Sequence, residues 1–257
     1  MNDSATTAFS NIQASHSRVL KIALIGYGKM GKAIESVAVQ RGHQVVLKID
    51  ADNQYEFTRE RLEQCDVAIE FTSPHSAVEN IRTCLAAGIP VVSGSTGWLG
   101  KWEEVKAYCE ERKGGLLYAS NFSIGVNIFF EINKKLAGLM SAHPEYSPMV
   151  EEIHHTAKQD APSGTAISLA EQILQESPTK NKWVNAHTDR ADELTIISKR
   201  IDPAPGTHYV RYSSAVDEIE IIHTANSRQG FASGAVLAAE FIAGKSGIYS
   251  MKEVLGF

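Results

Sequence analysis

Two adjacent histidines, followed three residues later by a lysine, are the groups in this chain best suited to moving a proton. His154, His155 and Lys158 lie in the segment 151–166, whose sequence is EEIHHTAKQDAPSGTA. An imidazole titrates near neutral pH, and an ammonium group can donate a proton or bind an anion. The segment therefore predicts general acid chemistry on an anionic ligand.

The same segment contains a helix start that could bind that anion. Ser163 is placed to cap a helix, since apolar residues recur with helical spacing over 167–174. Free backbone N–H groups and the positive end of the helix dipole attract carboxylates. We therefore predict that Ser163, Gly164 and Thr165 bind substrate.

Two other interpretations of the histidine pair have to be weighed. A His-His pair on its own is more often structural than catalytic. A metal site is disfavoured because His154 and His155 would point to opposite faces of a strand. The chain also has neither an H-E-x-x-H motif nor a Cys/His set with zinc spacing. We predict no metal.

A glycine-rich turn near the N-terminus points to a nucleotide cofactor. It follows an apolar strand over 18–25 and consists of Gly26, Tyr27, Gly28, Lys29, Met30 and Gly31. Gly26 allows the tight turn, Gly28 lets a pyrophosphate approach the backbone, and Gly31 lets the helix pack on the strand. Asp50, at the end of the next strand, can accept hydrogen bonds from a ribose. Dinucleotide binding is favoured over a structural glycine turn with a solvated acid at the strand end.

Strands alternate with helices up to about residue 119, which predicts a parallel sheet. Ligands of such sheets bind beyond the carboxyl ends of the strands. Each polar loop at such an end is ordinary when taken alone, but together they favour a cofactor cleft. The residues in these loops are Phe71, Thr72, Gly94, Ser95, Thr96, Ala119, Ser120, Asn121 and Phe122.

The pattern changes after a helix predicted over 124–140, because strand-like segments dominate from about 147 to 227. We predict an α/β chain with an N-terminal Rossmann-like parallel-sheet dinucleotide-binding domain, formed by 18–123 with 232–257. An α+β substrate-binding and oligomerisation domain would be formed by 124–231. Residues 1–17 are rich in small polar residues and are expected to be a disordered extension.

Composition excludes several kinds of partner. The formal net charge is −5 and there is no run of basic residues, which argues against nucleic acid and anionic membranes. No segment approaches the ~20 apolar residues of a membrane span. Three cysteines without a C-x-x-C motif, and an N-terminus without a secretory signal, favour free thiols in the cytoplasm.

The segment 152–166 matches every fixed position of E-x-H-H-x-x-K-x-D-A-P-S-G-T-A, and so resembles the signature of the dihydrodipicolinate reductase family. The resemblance extends over 19–257 and includes the motif Pro205-Gly206-Thr207-His208. It implies reduction of the dehydrated cyclic dicarboxylate formed from 4-hydroxy-tetrahydrodipicolinate, by NADH or NADPH, in lysine and diaminopimelate biosynthesis. It also implies a homotetramer.

The resemblance assigns a role to each group of the loop. His154 matches the catalytic proton donor or acceptor, and Lys158 matches a second catalytic group that also contacts substrate. His155 matches a substrate-binding position. Gly164 and Thr165 match the positions that hold a substrate carboxylate.

The chain departs from many family members at the cofactor site. Its glycine turn is one residue shorter than G-x-x-G-R-M-G, and Ala51 and Asp52 follow Asp50 where members that use NADPH well often have an arginine. A 2′-phosphate would therefore meet the charge of Asp50, and we predict a preference for NADH. Lys48, or a lysine or arginine brought close by the fold, could reverse this preference.

Two rival functions remain. One is another NAD(P)-dependent amino-acid dehydrogenase, against which the Asp-Ala-Pro-Ser-Gly-Thr segment argues. The other is a non-catalytic dinucleotide-binding regulatory module, which would be expected to lack His154 or Lys158.

Overall fold

A computed structural model describes residues 18–227 and 229–257. The extension predicted over 1–17 lies outside these residues. The chain forms two compact units: residues up to Tyr118 with Val236–Tyr249, and Ala119–Ala235 with Ser250–Phe257. The functional domain limits that we expected after residues 123 and 231 stay predictions.

The described residues form one parallel sheet and one mixed sheet, with helices between many of the strands. The strands are β1 (Lys21–Ile25), β2 (Gln44–Ile49), β3 (Val67–Glu70), β4 (Val91–Ser93), β5 (Gly115–Tyr118), β6 (Ser147–His154), β7 (Lys182–Val184), β8 (Glu193–Arg200), β9 (Thr207–Ser213), β10 (Glu218–Thr224) and β11 (Gly247–Tyr249). The α-helices are α1 (Lys29–Gln40), α2 (Arg59–Leu62), α3 (Ala77–Ala86), α4 (Trp102–Glu111), α5 (Ile124–Met140), α6 (Gly164–Glu176), α7 (Gln229–Ile242) and α8 (Met251–Leu255).

The first unit is built on a sheet in the order β11-β5-β4-β3-β1-β2, in which every neighbouring pair is parallel. The central strands are apolar almost throughout because helices cover both faces of such a sheet. Ile25, Ala68, Val91 and Leu116 are fully buried in its core. This is the Rossmann-like parallel sheet that the sequence predicted.

The second unit contains a mixed sheet in the order β10-β9-β6-β8-β7. Strand β6 is antiparallel to β9 and parallel to β8. One face packs on α5 and α6, where Val150 of β6 joins Phe129 and Leu169 in a shared core. The alternation of a strand places Glu152 and His154 on the same face as Val150.

Most predicted elements are present in the structure, and α5 has the limits expected from sequence. Sequence analysis missed α2, β7 and β11. Each has only three or four residues and, unlike the equally short β3, β4 and β5, lacks a run of apolar residues. Among the described helices, none combines the length and apolar composition needed to span a membrane.

Candidate active site

The glycine turn has the geometry that a bound pyrophosphate needs. Gly26 has φ +94°, and a Cβ there would lie 2.1 Å from the carbonyl oxygen of Phe71. A Cβ on Gly31 would lie 2.3 Å from the carbonyl oxygen of Gly26, so helix and turn pack too closely for a side chain. At Gly28, by contrast, no atom lies within 4 Å of the Cβ position. The backbone is therefore tightly packed at Gly26 and Gly31, while Gly28 has free space beside it. This arrangement fits the pyrophosphate of a dinucleotide.

A buried carboxylate joins the loops that follow β3 and β4. Glu70 accepts hydrogen bonds from the backbone N–H of Thr72 at 3.0 Å and from the hydroxyls of Ser93 and Ser95, both at 2.7 Å. A Cβ on Gly94 would lie 2.2 Å from the ring of Phe71. The structure thus brings together four of the predicted cofactor residues, and the exposed Thr96 follows them in the loop. Glu70 was not singled out from sequence.

Asp50 lies at the end of β2, beside a cluster of charged side chains. Its carboxylate accepts the N–H of Ala51 at 2.9 Å and caps a short 3-10 turn. Lys48 Nζ lies 2.6 Å from Glu35 and 4.9 Å from the centre of the Tyr27 ring. Tyr27 also donates its hydroxyl to Glu35. Hydrogen bonding to Glu35 raises the pKa of both Lys48 and Tyr27, so the Lys48 charge is engaged by Glu35. Lys29 and Met30 form the first turn of α1.

The predicted cofactor residues Ala119, Ser120, Asn121 and Phe122 follow β5 and belong to the second unit. Phe122 is buried and Ser120 is exposed. The Asn121 amide donates a hydrogen bond to the hydroxyl of Thr165 at 3.4 Å. A residue predicted to bind cofactor therefore contacts one predicted to bind substrate.

The helix start predicted to bind a carboxylate is formed by α6. Ser163 is buried, and its hydroxyl accepts the N–H of Ala166 at 3.2 Å, which caps the helix. Within the described part of the chain, no acceptor takes the N–H of Gly164 or Thr165. These two groups are available to an anion.

His154 ends β6 and is buried, with 8% of its surface exposed, whereas His155 is half-buried. Lys158 lies in the following loop, where its N–H donates to the His155 carbonyl at 3.1 Å. Its ammonium group donates to both carboxylate oxygens of Asp160, at 2.7 and 2.8 Å. This pairing holds the pKa of Asp160 below its usual range.

Glu152 is fully buried and connects several of these groups. Its carboxylate accepts the N–H of Ser163 at 3.1 Å and a hydrogen bond from Arg200 at 3.2 Å. Its Oε2 lies 3.3 Å from Nδ1 of His154 and 3.7 Å from Nε2 of His208. Burial alone would raise the pKa of Glu152, but the groups around the carboxylate outweigh burial and lower it, so Glu152 is ionised.

His208 is the second imidazole of this site. It is buried, its ring centre lies 5.0 Å from that of His154, and its Nε2 lies 3.2 Å from the Ser163 hydroxyl. Burial lowers the pKa of His208, so it is neutral near pH 7. Sequence analysis gave no role to Glu152, Arg200 or His208. The spacing of Glu152 two residues before His154 in a strand was the available signal, because such residues share a face.

Three of these buried side chains have atoms that could bind a metal ion. Atoms of Glu152, His154 and His208 lie within 4.8 Å of one another. Arg200 and the N–H of Ser163 already share the carboxylate, so a cation would compete with a guanidinium group. The sequence argument considered the wrong histidine pair, and the absence of a metal stays a prediction.

The three cysteines are unpaired and buried. Burial raises the pKa of Cys65 and of Cys109 to about 11. Burial likewise raises the pKa of Cys84. None of the three has the lowered pKa that a nucleophilic cysteine requires.

Comparison with known proteins agrees with this geometry. Residues 20–122 match the family model "Dihydrodipicolinate reductase, N-terminus" and residues 125–255 match "Dihydrodipicolinate reductase, C-terminus". The 4-hydroxy-tetrahydrodipicolinate reductase of Christiangramia forsetii is 49% identical over 92% of this chain and 98% of its own length. The enzyme of the same name from Methanoregula boonei is 35% identical over 74% of this chain and 75% of its own.

A solved structure shares the fold. Dipicolinate-bound dihydrodipicolinate reductase from Paenisporosarcina sp. TG-14 superposes with a TM-score of 0.73 at 23% identity, covering 91% of this chain and 98% of that one. The two family models together span nearly all the described residues, and the identity to the curated relatives is high over most of the chain. The chain therefore belongs to the dihydrodipicolinate reductase family.

Proposed function

We propose that this chain reduces the dehydrated form of 4-hydroxy-tetrahydrodipicolinate to tetrahydrodipicolinate with a nicotinamide cofactor, a step of lysine and diaminopimelate biosynthesis. One structural observation carries the proposal beyond family membership. The buried carboxylate of Glu152 contacts both His154, a proton donor, and the N–H of Ser163, which begins the anion-binding helix. An acid and a carboxylate site are therefore held at a fixed separation, as reduction of a dicarboxylate requires.

The residues that would hold the cofactor fit it. The glycine turn Gly26–Gly31 leaves room for a pyrophosphate at Gly28, and Asp50 can accept hydrogen bonds from a ribose. The loops after β3 and β4, in the same unit, complete this set. When bound, the cofactor supplies a hydride to the conjugated ring of the substrate.

The substrate is held by groups of the second unit. The unpaired N–H groups of Gly164 and Thr165 bind one carboxylate, and the α6 dipole favours its charge. Lys158 and His155 contact the substrate from the preceding loop. The ammonium group has three N–H donors, and its two hydrogen bonds to Asp160 leave the third for the substrate.

His154 supplies the proton. Negative charge builds on the carbon that must be protonated, and an acid held beside it lowers the barrier by about 10²–10⁴-fold in rate. Lys158, four residues further along the chain, adds a positive charge. Both groups act in a chain that is acidic overall, with a net charge of −5, so the positive charge is local to the site.

The cofactor preferred is NADH. Asp50 is followed by Ala51 and Asp52, and the nearest basic side chain on β2, Lys48, is paired with Glu35 at 2.6 Å. Lys32 also lies over the Tyr27 ring, at 5.9 Å from its centre, but a 2′-phosphate would meet the carboxylate of Asp50.

A homotetramer in the cytoplasm is also part of the proposal. The sheet face of the second unit opposite α5 and α6 carries Met149, Ile153 and Tyr209, all half-exposed. Pairing with the same face of another copy would bury these side chains. Light scattering tests this, and a monomeric mass would overturn it.

Oxidation of NADH and NADPH by the purified chain tests the reaction. The substrate is generated in place by a dihydrodipicolinate synthase, and the control omits the synthase. We expect oxidation that depends on the synthase and is faster with NADH. Oxidation of neither cofactor by a chain that still binds NADH would favour the regulatory module. Oxidation of NADH with a different imino or keto acid alone would favour the amino-acid dehydrogenase.

A further inference from the structure

The two ring nitrogens of His154 lie in different surroundings. Nδ1 is completely enclosed, and it lies 3.3 Å from Oε2 of Glu152 without the alignment of a full hydrogen bond. Nε2 faces Gly206, where a Cβ would lie only 3.1 Å away. The protein thus places a carboxylate against one nitrogen and a residue without a side chain beside the other.

We infer that Glu152 is a positioning residue, which holds the proton of His154 on Nδ1 so that Nε2 is the atom that exchanges a proton with substrate. This inference rests on the proposed function for its catalytic meaning, but the arrangement of the proton can be measured without activity. In a neutral imidazole one nitrogen carries the proton, and the partner of that nitrogen decides which.

The charges around His154 favour this arrangement. Burial would raise the pKa of Glu152, but the surrounding groups of His154, His208 and Ser163 lower it, so Glu152 is ionised. Arg200 also donates a hydrogen bond to it. His208, on β9, packs edge-on against His154 and is kept neutral by burial. Lys158 is close enough to contribute to that effect on His208. The negative charge of Glu152 therefore remains available to stabilise the protonated His154 ring.

Glu152→Gln is a sharp test because Arg200 fixes which way the new amide points. The guanidinium of Arg200 can only donate, and it donates to Oε1 of Glu152, so the amide oxygen takes that position. The backbone N–H of Ser163, which reaches both carboxylate oxygens, can donate to the oxygen there. The NH₂ group is then turned toward Nδ1 of His154, which must become an acceptor. The proton of the neutral ring moves to Nε2. The acid is the imidazolium, which donates its Nε2 proton to substrate and leaves a neutral Nδ1–H ring, and an NH₂ group facing Nδ1 disfavours that imidazolium.

Nitrogen-15 NMR of histidine-labelled protein reads the tautomer, with His154→Asn used to assign the signal. We expect Nδ1–H in the wild-type chain and Nε2–H in Glu152→Gln. We also expect kcat to fall by about 10²-fold or more while KM changes little, because the amide disfavours the imidazolium that donates the proton but leaves the substrate-binding groups in place. Glu152→Asp keeps the charge and should recover part of kcat.

Glu151→Gln is the matched control. Glu151 precedes Glu152 on β6 but points to the other face, where it pairs with Lys199 at 2.7 Å. Its loss should leave both the tautomer and kcat unchanged.

Each result bears on the inference or on the proposed function separately. An Nε2–H signal in the wild-type chain would overturn the inference even if no variant folds. An Nδ1–H signal that persists in Glu152→Gln would overturn it too, while leaving the reaction intact. An Nδ1–H wild-type chain that reduces no dicarboxylate would support the pairing and refute the proposed function.

Discussion

The ammonium group of Lys158 donates hydrogen bonds to both carboxylate oxygens of Asp160, at 2.7 and 2.8 Å. The ammonium group that we propose binds the substrate is therefore already hydrogen-bonded to a carboxylate two residues away. The side chain of Asp160 is 60% exposed, so the pair is a surface ion pair and is weak.

This relationship predicts different effects for the two partners. Asp160→Asn removes a competitor for Lys158 and should lower KM for the substrate by up to about fivefold, with kcat unchanged. Lys158→Ala breaks the same pair but removes the ammonium group, and should lower kcat/KM by about 10²-fold or more. Steady-state kinetics of both variants measures this. Equal losses in both would mean that the ion pair itself, not the ammonium group, is what the reaction needs.

Alanine substitutions at Gly28 and Gly31 should have different effects, one on NADH affinity and the other on stability. A Cβ at Gly28 meets no atom within 4 Å, so Gly28→Ala should leave stability within about 0.5 kcal/mol but weaken NADH at least tenfold by filling the pyrophosphate approach. A Cβ at Gly31 meets the Gly26 carbonyl at 2.3 Å, so Gly31→Ala should lower the free energy of unfolding by about 1–3 kcal/mol. Calorimetric titration with NADH and denaturant unfolding test the pair. Unchanged NADH affinity in Gly28→Ala contradicts the assigned role of the turn.

Freeing Lys48 should shift cofactor preference. In Glu35→Gln the lysine loses its ionic partner and can turn to a 2′-phosphate, so the ratio of kcat/KM for NADPH to that for NADH should rise by roughly three- to tenfold. Glu63→Gln, in the exposed pair with Arg59, is the control and should not alter the ratio. A wild-type preference for NADPH, or no shift in Glu35→Gln, would show that other residues decide the preference.

Glu240 should make stability depend on pH. It accepts two hydrogen bonds from Arg41, both at 2.7 Å, and contacts Nε2 of the buried His43 at 2.7 Å. Burial alone would raise the pKa of Glu240, but these hydrogen bonds outweigh burial and lower it. A lowered folded-state pKa means that the contribution is complete above the unfolded pKa and is lost as pH falls.

Glu240→Gln should therefore lower the free energy of unfolding by about 1–3 kcal/mol at neutral pH. The difference from the wild-type chain should shrink below about pH 4. Denaturant unfolding followed by circular dichroism at several pH values measures it. Glu104→Gln, which breaks an exposed pair with Arg82, should cost under about 1 kcal/mol. A Glu240→Gln difference that is constant down to pH 3 would contradict the account.

Sequence predicted the elements that have a clear period. The apolar strand β1 and the Gly26–Gly31 turn predicted the nucleotide fold, and the long amphipathic pattern predicted α5 with its observed limits. The strands β7 (Lys-Trp-Val) and β11 (Gly-Ile-Tyr) were missed because they lack the apolar run that marked the equally short β3, β4 and β5.

The site was predictable only where its residues are adjacent in sequence. His154 and Lys158 share one segment, and the helix start at Ser163 follows it. The sequence alone could therefore suggest an acid next to an anion-binding helix. Arg200 and His208 reach Glu152 from β8 and β9, and pairing across a sheet cannot be derived from one sequence. Glu70 was missed for the same reason, since its partner Ser95 follows a different strand.

The measurement that tests the central claim most directly compares the wild-type chain with His154→Ala and Lys158→Ala. For each, kcat/KM for the dicarboxylate and the dissociation constant for NADH are determined in the same preparation. We predict that both variants bind NADH within about twofold of wild type and lose about 10²–10⁴-fold in kcat/KM. Wild-type turnover that survives intact in His154→Ala would show that this ring does not supply the proton, and the account of the site would be wrong.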